Sequence, residues 1–275
     1  MRSRRPPAAP TARPRREPRR AGPASSPIAR DSTSPRHGLA RVLSKAGVCS
    51  RTEAARWIAD GRVTVDGRTI HNPEYPIVDG RHRVHVDGAP LGSARRIYLM
   101  LNKPRGLVTT AQDERGRETV YRCFDGADLP WLGPVGRLDK ASEGLLLFSN
   151  DPQWAAHLTD PATGPDKTYH VQVDAIPDAA QLAAMCTGVD DAGEFLRARA
   201  VRLLRTGEKT AWLEVVLEEG RNRHIRRLLA AFDIAVLRLV RVGIGQLALG
   251  ALAKGAWREL DPHEMELLHA TAGTE

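Results

Sequence analysis

Three cysteines in 275 residues, Cys49, Cys123 and Cys186, are too few, too far apart and odd in number to frame a disulfide scaffold. Thiols used this sparingly fit a reducing cytoplasm. Neither Cys-x-x-Cys nor His-Glu-x-x-His spacing occurs, so no metal site is expected. No apolar run approaches the ~20 residues that cross a bilayer as a helix, which excludes a helical membrane span. The length suffices for one large or two modest domains with a buried core.

Excess charge is also scarce once it is located. The formal net charge is +8, from 41 Lys and Arg against 33 Asp and Glu. Residues 1–37 hold ten arginines and two acids and so carry all of it, while the remainder balances at 31 basic and 31 acidic residues. The folded part can meet a polyanion only by segregating its charges. Prolines at 6, 7, 10, 14, 18, 23 and 27 break any helix, and residues 1–36 read as a disordered Pro/Arg-rich basic arm suited to nonspecific phosphate attraction. An organelle transit peptide is the lesser alternative, because the prolines oppose its usual amphipathic helix.

A compact unit follows over 37–89. Leu39, Val42, Leu43 and Ala46 recur at helical spacing, and Gly47 is a natural stop. Ser50-Arg-Thr-Glu53 reads as a capping box opening a second helix, whose stripe is Ala54, Trp57 and Ile58. The period then switches to two, with Val63 and Val65 entering an Asp66-Gly67 turn and Val84 and Val86 an Asp87-Gly88 turn. The runs 39–51 and 58–67 resemble an S4 domain, a small RNA-binding module. That resemblance implies that Arg41, Lys45, Arg51 and Arg56 on the helix pair meet RNA phosphates; singly, each also suits an ordinary solvated arginine or lysine.

After a short linker, 90–96, a larger α+β domain is expected over 97–265, with a tail from 266 to 275. Apolar strand-like runs occur at 97–101, 144–148, 169–173 and 211–217, with a helical pattern near 221–232. Four segments bear chemistry. Leu101-Asn-Lys-Pro-Arg-Gly106 ends a strand in a tight turn carrying Lys103. Gly136-Arg-Leu-Asp-Lys140 places Asp139 in a polar loop before an apolar strand, where rigid packing would fix a nucleophile or base. Lys167-Thr-Tyr-His170 puts Lys167 and Tyr169 on one strand face, and Tyr169 could stack on a base. In Glu219-Gly-Arg-Asn-Arg-His-Ile-Arg-Arg-Leu-Leu229 the apolar stripe of Ile225, Leu228, Leu229 and Phe232 leaves Arg223, Arg226 and Arg227 toward the edges. Such arginines could pair a carboxylate or clamp phosphates.

Together the four segments resemble the S4-containing ribosomal-RNA pseudouridine synthases of the RsuA type, closer to the large-subunit members because of Asn222-Arg223. Gly-Arg-Leu-Asp, Lys-x-Tyr and Glu-Gly-Arg-Asn-Arg-x-Ile-Arg-Arg match that family's aspartate, tyrosine and arginine motifs, and the likeness runs from about residue 37 to 265. Ser142 stands where Thr is usual and His224 where Gln is common. The resemblance implies an α+β fold, with the S4-like domain followed by a mixed, mostly antiparallel sheet. It implies isomerisation of a uridine to pseudouridine without cofactor or metal, in ribosomal RNA or a pre-ribosomal particle, by a cytoplasmic monomer. Asp139 would be the essential carboxylate, Tyr169 would stack on the flipped base, and Arg226 would pair with Asp139. Lys103, Arg137, Lys167, Arg223, His224 and Arg227 would add RNA contacts. The alternatives are a non-catalytic S4-type ribosome-assembly factor and a synthase acting on transfer RNA.

Two lookalikes are set aside. Gly243-Ile-Gly245-Gln-Leu-Ala248 imitates a dinucleotide fingerprint, but too little chain follows for a βαβ unit. His82 and His85 would point to opposite faces of a strand.

Overall fold

The computed structural model describes residues 36–269 apart from 79, 93 and 112. The expected basic arm lies outside the described residues except for Arg36, which opens the first strand. In chain order the S4-like part comprises β1 (Arg36–Gly38), α1 (Leu39–Lys45), α2 (Arg51–Ala59), β2 (Val63–Val65), β3 (Arg68–Thr69), β4 (Pro76–Val78), β5 (Val84–Val86) and β6 (Ala89–Pro90). Ser50 caps α2 by accepting from the Glu53 N–H at 3.0 Å, the Ser50 half of the expected box. Both Asp-Gly pairs take the left-handed backbone of a two-residue hairpin: φ is +51° and +79° at Asp66-Gly67 and +49° and +80° at Asp87-Gly88. Leu39, Leu43, Ala54 and Ile58 from the helices pack on Val63, Val65, Ile77 and Val84.

The larger part continues with β7 (Tyr98–Lys103), β8 (Gly133–Val135), β9 (Glu143–Ser149), α3 (Pro152–Thr159), β10 (Lys167–Val173), α4 (Ala179–Thr187), β11 (Val189–Asp191), β12 (Glu194–Leu196), β13 (Ala200–Thr206), β14 (Ala211–Leu217), α5 (His224–Ala230), β15 (Val236–Ile244), β16 (Leu247–Ala248), β17 (Trp257–Glu259) and α6 (Pro262–His269). A nine-stranded sheet runs β13-β14-β10-β15-β9-β7-β17, with β8 also on β9 and β16 also on β15. Every pairing in it is antiparallel except β15 with β9, so the sheet is mixed as expected.

All seven residues of β9 are buried. Leu146 and Phe148 face one cluster with α4 and α5, and Leu145 and Leu147 face a second with Trp154, Leu158 and Leu268. A strand covered on both faces reads as a continuous apolar run, which is why Leu145–Phe148 shows no alternation. The tail expected from 266 begins later, because α6 runs to His269 and buries Leu268 against Leu247. The Gly243–Ala248 segment is a hairpin joining β15 to β16, with φ +55° at Gly245.

Candidate active site

Asp139 sits in the loop that joins β8 to β9, and the surrounding chain pins that loop at several points. The Ser142 N–H returns to the Asp139 carbonyl at 3.0 Å, and the Gly106 N–H donates to the Lys140 carbonyl at 2.8 Å. The Thr109 hydroxyl donates to the Leu138 carbonyl at 2.7 Å, while the Leu138 side chain is buried in the core beneath. Lys103 completes the clamp. It is fully buried, and its ammonium donates to the carbonyls of Ser142 at 2.9 Å, Pro104 at 3.1 Å and Asp139 at 3.2 Å. Burial pulls its pKa down to about 8, against the opposing fields of Cys123, Asp139 and Glu143. Lys103 therefore cannot reach an RNA phosphate, contrary to the sequence expectation; it holds the backbone of the Asp139 loop instead.

The Asp139 side chain opens on a cavity of about 430 Å³. Its walls come from the β8–β9 loop, the start of β10, the end of β14 with the following loop, the first turn of α5, and β15. Tyr169, 9% exposed, lies on β10 with Arg241 as its backbone partner on β15 and Val215 on β14. Lys167 begins β10 and lines the same cavity. Among the described residues no hydrogen-bond or ion-pair partner meets its ammonium. Burial lowers the Lys167 pKa, and the nearby Arg241 guanidinium lowers it further.

From α5, Arg226 lines the cavity and donates to the Val236 carbonyl at 3.1 Å. Burial and the charges of Arg223 and Arg105 lower its pKa, opposed by Asp139. Asp139 and Arg226 thus share one cavity and feel each other's charge, but no direct ion pair joins them, which corrects the expected contact. Arg223 stands just before α5 with φ +51°, a conformation uncommon for a residue with a Cβ. It is exposed at the rim, as is Arg137. Non-glycine residues in this region cost of order 1 kcal/mol or more and tend to mark functional sites.

Two of the expected RNA contacts are engaged by the protein itself. Arg227 spends its guanidinium on Asp191 and Glu194, clamping the β11–β12 hairpin to α5, and it does not line the cavity. His224 is 3% exposed, and the carbonyl of Arg197 lies 3.0 Å from its Nε2. Burial lowers its pKa, so it is a neutral wall residue rather than a phosphate ligand. On the S4-like part, Arg41 and Arg56 are exposed, Lys45 is half-buried, and Arg51 pairs with Glu74 at 3.2 Å. None of these four lines the cavity.

Arg241 was missed by the sequence reading. It is 5% exposed, its Nε donates to the Leu145 carbonyl at 2.7 Å, and its Nη2 is buried with no partner. A basic residue inside the apolar run Val236–Ile244, in phase with the buried Leu239, is a signal that could have flagged it.

A small helix-pair module joined to a sheet whose cavity gathers one unpaired carboxylate, a tyrosine and several cations is the organisation of an RNA-modifying enzyme. The comparisons with known proteins agree. Residues 97–231 match the family described as RNA pseudouridylate synthase, and residues 38–81 match the S4 domain. The ribosomal large subunit pseudouridine synthase B of Bacillus subtilis is 35% identical over 237 residues, covering 85% of this chain and 96% of that protein. An uncharacterised RNA pseudouridine synthase of Mycobacterium bovis is 37% identical over 242 residues, covering 86% and 94%. A crystal structure of a pseudouridylate synthase superposes with a TM-score of 0.60 at 26% identity, over 84% of this chain and 99% of that one. The chain belongs to the RNA pseudouridine synthase family, and carries its S4 RNA-binding domain. No helix among the described residues is long and apolar enough to cross a membrane.

Proposed function

We propose that the protein isomerises a specific uridine of large-subunit ribosomal RNA, free or in a pre-ribosomal particle, with Asp139 as the essential carboxylate and no cofactor. The observation that carries this reading is the placement of Asp139 on a loop fixed by Lys103, Thr109 and Gly106, opening on a cavity that also holds Tyr169 and Arg226. The likeness to the Bacillus large-subunit enzyme, which spans nearly all of that protein, supports the choice of RNA.

In the reaction the C1′–N1 bond breaks and a C1′–C5 bond forms, while one proton leaves C5 and one is gained at N1. Among the described residues lining the cavity, Asp139 is the only carboxylate without a cation in direct contact, since Glu219 is paired with Arg221 at 2.7 Å. It is therefore the group free to act as nucleophile toward the sugar or the base. Tyr169 offers a ring on which an extruded base can stack, a contact that offsets part of the few kcal/mol needed to unstack it. Arg226 keeps a positive charge near Asp139 without occupying its oxygens. Exposed Arg137 and Arg223 at the rim are placed for phosphates, and Arg41, Lys45, Arg51 and Arg56 give the helix pair its own basic contacts.

The test uses wild-type protein and Asp139→Asn on unmodified small- and large-subunit rRNA, with pseudouridines mapped by carbodiimide adducts and primer extension. A new stop in the large-subunit RNA with wild type, absent with Asp139→Asn, is the expected result. A stop confined to the small-subunit RNA, or one that persists in the variant, overturns the reading.

A further inference from the structure

The cavity floor carries two cations that the roles above leave unused. Lys167 and Arg241 flank Tyr169, the first two residues before it on the same strand face and the second directly opposite on β15. Arg241 is buried and Lys167 half-buried, and among the described residues neither has a carboxylate within hydrogen-bond or ion-pair reach. Arg241 uses Nε on the Leu145 carbonyl but leaves Nη2 without an acceptor. An unpartnered guanidinium nitrogen beside a like-charged ammonium is a costly arrangement in a folded protein. Its retention on a cavity wall points to an acceptor that arrives with the ligand.

The kind of acceptor follows from depth. Phosphates of an RNA strand stay at the rim, where the exposed Arg137 and Arg223 already stand. A base stacked on Tyr169 would instead bring its carbonyl oxygens to the floor. Uracil has two such oxygens and is neutral in the ground state. When the C1′–N1 bond breaks, the bonding pair leaves with the base, and negative charge spreads over N1, O2 and O4. If a carboxylate adds first to C6, the charge collects on C5 and on the O4 carbonyl oxygen. Both routes need cationic donors at the same place.

Resting on the assignment of Asp139 and Tyr169 above, we propose that Lys167 and Arg241 form a two-cation cradle that donates to the carbonyl oxygens of the flipped uracil and stabilises the negative charge it acquires during isomerisation. The cradle is set before the base arrives, anchored through Arg241 on Leu145, so little reorganisation is needed as the charge develops. Burial and then the Arg241 charge lower the Lys167 pKa in the free protein, against the field of Asp166, and the repulsion between the two cations is relieved once that charge lies between them.

The decisive experiment uses the full chain and a large-subunit rRNA fragment labelled with tritium at uracil C5, in which the wild type releases tritium. Single-turnover rates at saturating enzyme are compared with RNA Kd values across a salt series. Lys167→Met and Arg241→Met should each slow the saturated rate by about a hundredfold, with Kd changed by less than about twofold. Lys167→Arg should recover most of the loss. Should Arg241→Met melt early by circular dichroism, Arg241→Lys and Lys167→Met carry the test. A weaker Kd with a salt slope smaller by about one and an unchanged saturated rate would assign the pair to a phosphate and overturn the proposal. Unchanged rate and Kd would overturn it too. A wild type that releases no tritium from this fragment would instead sink the underlying reading of the reaction.

Discussion

Glu143, four residues after Asp139, shows how single side chains hold the site together. It is almost fully buried at the first position of β9, where Arg238 grips both its oxygens at 2.8 and 3.0 Å and Lys254 reaches it at 2.6 Å. Arg238 in turn lies over the Trp212 ring, 5.9 Å from its centre. These partners, Arg238 foremost, hold the Glu143 carboxyl down at about 2 from an ordinary value of 4.5. A carboxyl depressed in the fold contributes stability that is present above about pH 4.5 and drains away as the pH falls toward about 2. Glu143→Gln leaves two cations facing a neutral amide, and should cost about 3 kcal/mol at neutral pH. The two proteins' melting temperatures should converge as pH falls from 4.5, since the wild type alone loses this pairing. Parallel melting curves across that range would mean that the ion pairs contribute nothing.

At the scale of elements, the junction of β9 with β15 matters most, because it is the one parallel pairing in the sheet and it carries both the Asp139 loop and Arg241. Gly144 makes the crossing possible. Its φ is +99°, and a Cβ there would lie 2.2 Å from the Arg241 carbonyl oxygen and 2.9 Å from its nitrogen. Gly144→Ala should therefore destabilise the fold by about 3 kcal/mol, and slow the reaction even where the variant remains folded, because Arg241 must move. Calorimetry and single-turnover rates check the two parts; an unchanged rate in a destabilised variant would show that the junction is structural only. The sequence showed this region only in part. The run Leu145–Phe148 marked a buried strand, whereas Asp139 before it stood out only through the resemblance of Gly136–Asp139 to a family motif, since an aspartate in a polar loop is ordinary by itself. The stretch 200–206 escaped as a strand because it is an exposed edge with little alternation, and the strand-like run before Gly243 hid Arg241 in apolar company. Lys103 read as a surface cation since nothing in Leu101–Gly106 reveals three carbonyls converging on it. The same blindness applied to Arg227, whose carboxylate partners lie 33 and 36 positions earlier.

For the whole molecule, the proposed function asks how RNA bound at the helix pair would be brought to the cavity. The connection is more than a tether. Arg96, in the expected linker, donates to the Asn150 carbonyl at 2.7 Å at the end of β9 and to the Lys45 carbonyl at 3.2 Å at the end of α1. The Ala94 N–H donates to the Ala46 carbonyl at 3.3 Å, and the Asn150 side chain accepts from the Ile97 N–H and donates to the Arg95 carbonyl. Gly47 lies so close that a Cβ on it would stand 2.6 Å from the Asn150 oxygen. One guanidinium thus ties α1, with its exposed Arg41, to the strand that begins beside Asp139. Arg96→Ala removes both bonds while leaving each core intact, so RNA held by the S4 helices is no longer registered against the cavity. A long rRNA fragment that engages both parts should lose about tenfold or more in kcat/KM, the scale on which a misplaced substrate costs rate. A short hairpin that reaches only the cavity should be turned over at nearly the wild-type rate. Equal losses on both RNAs would place the effect of Arg96 in the stability of the β9 end, and equal retention would mean that the two parts act without a fixed register.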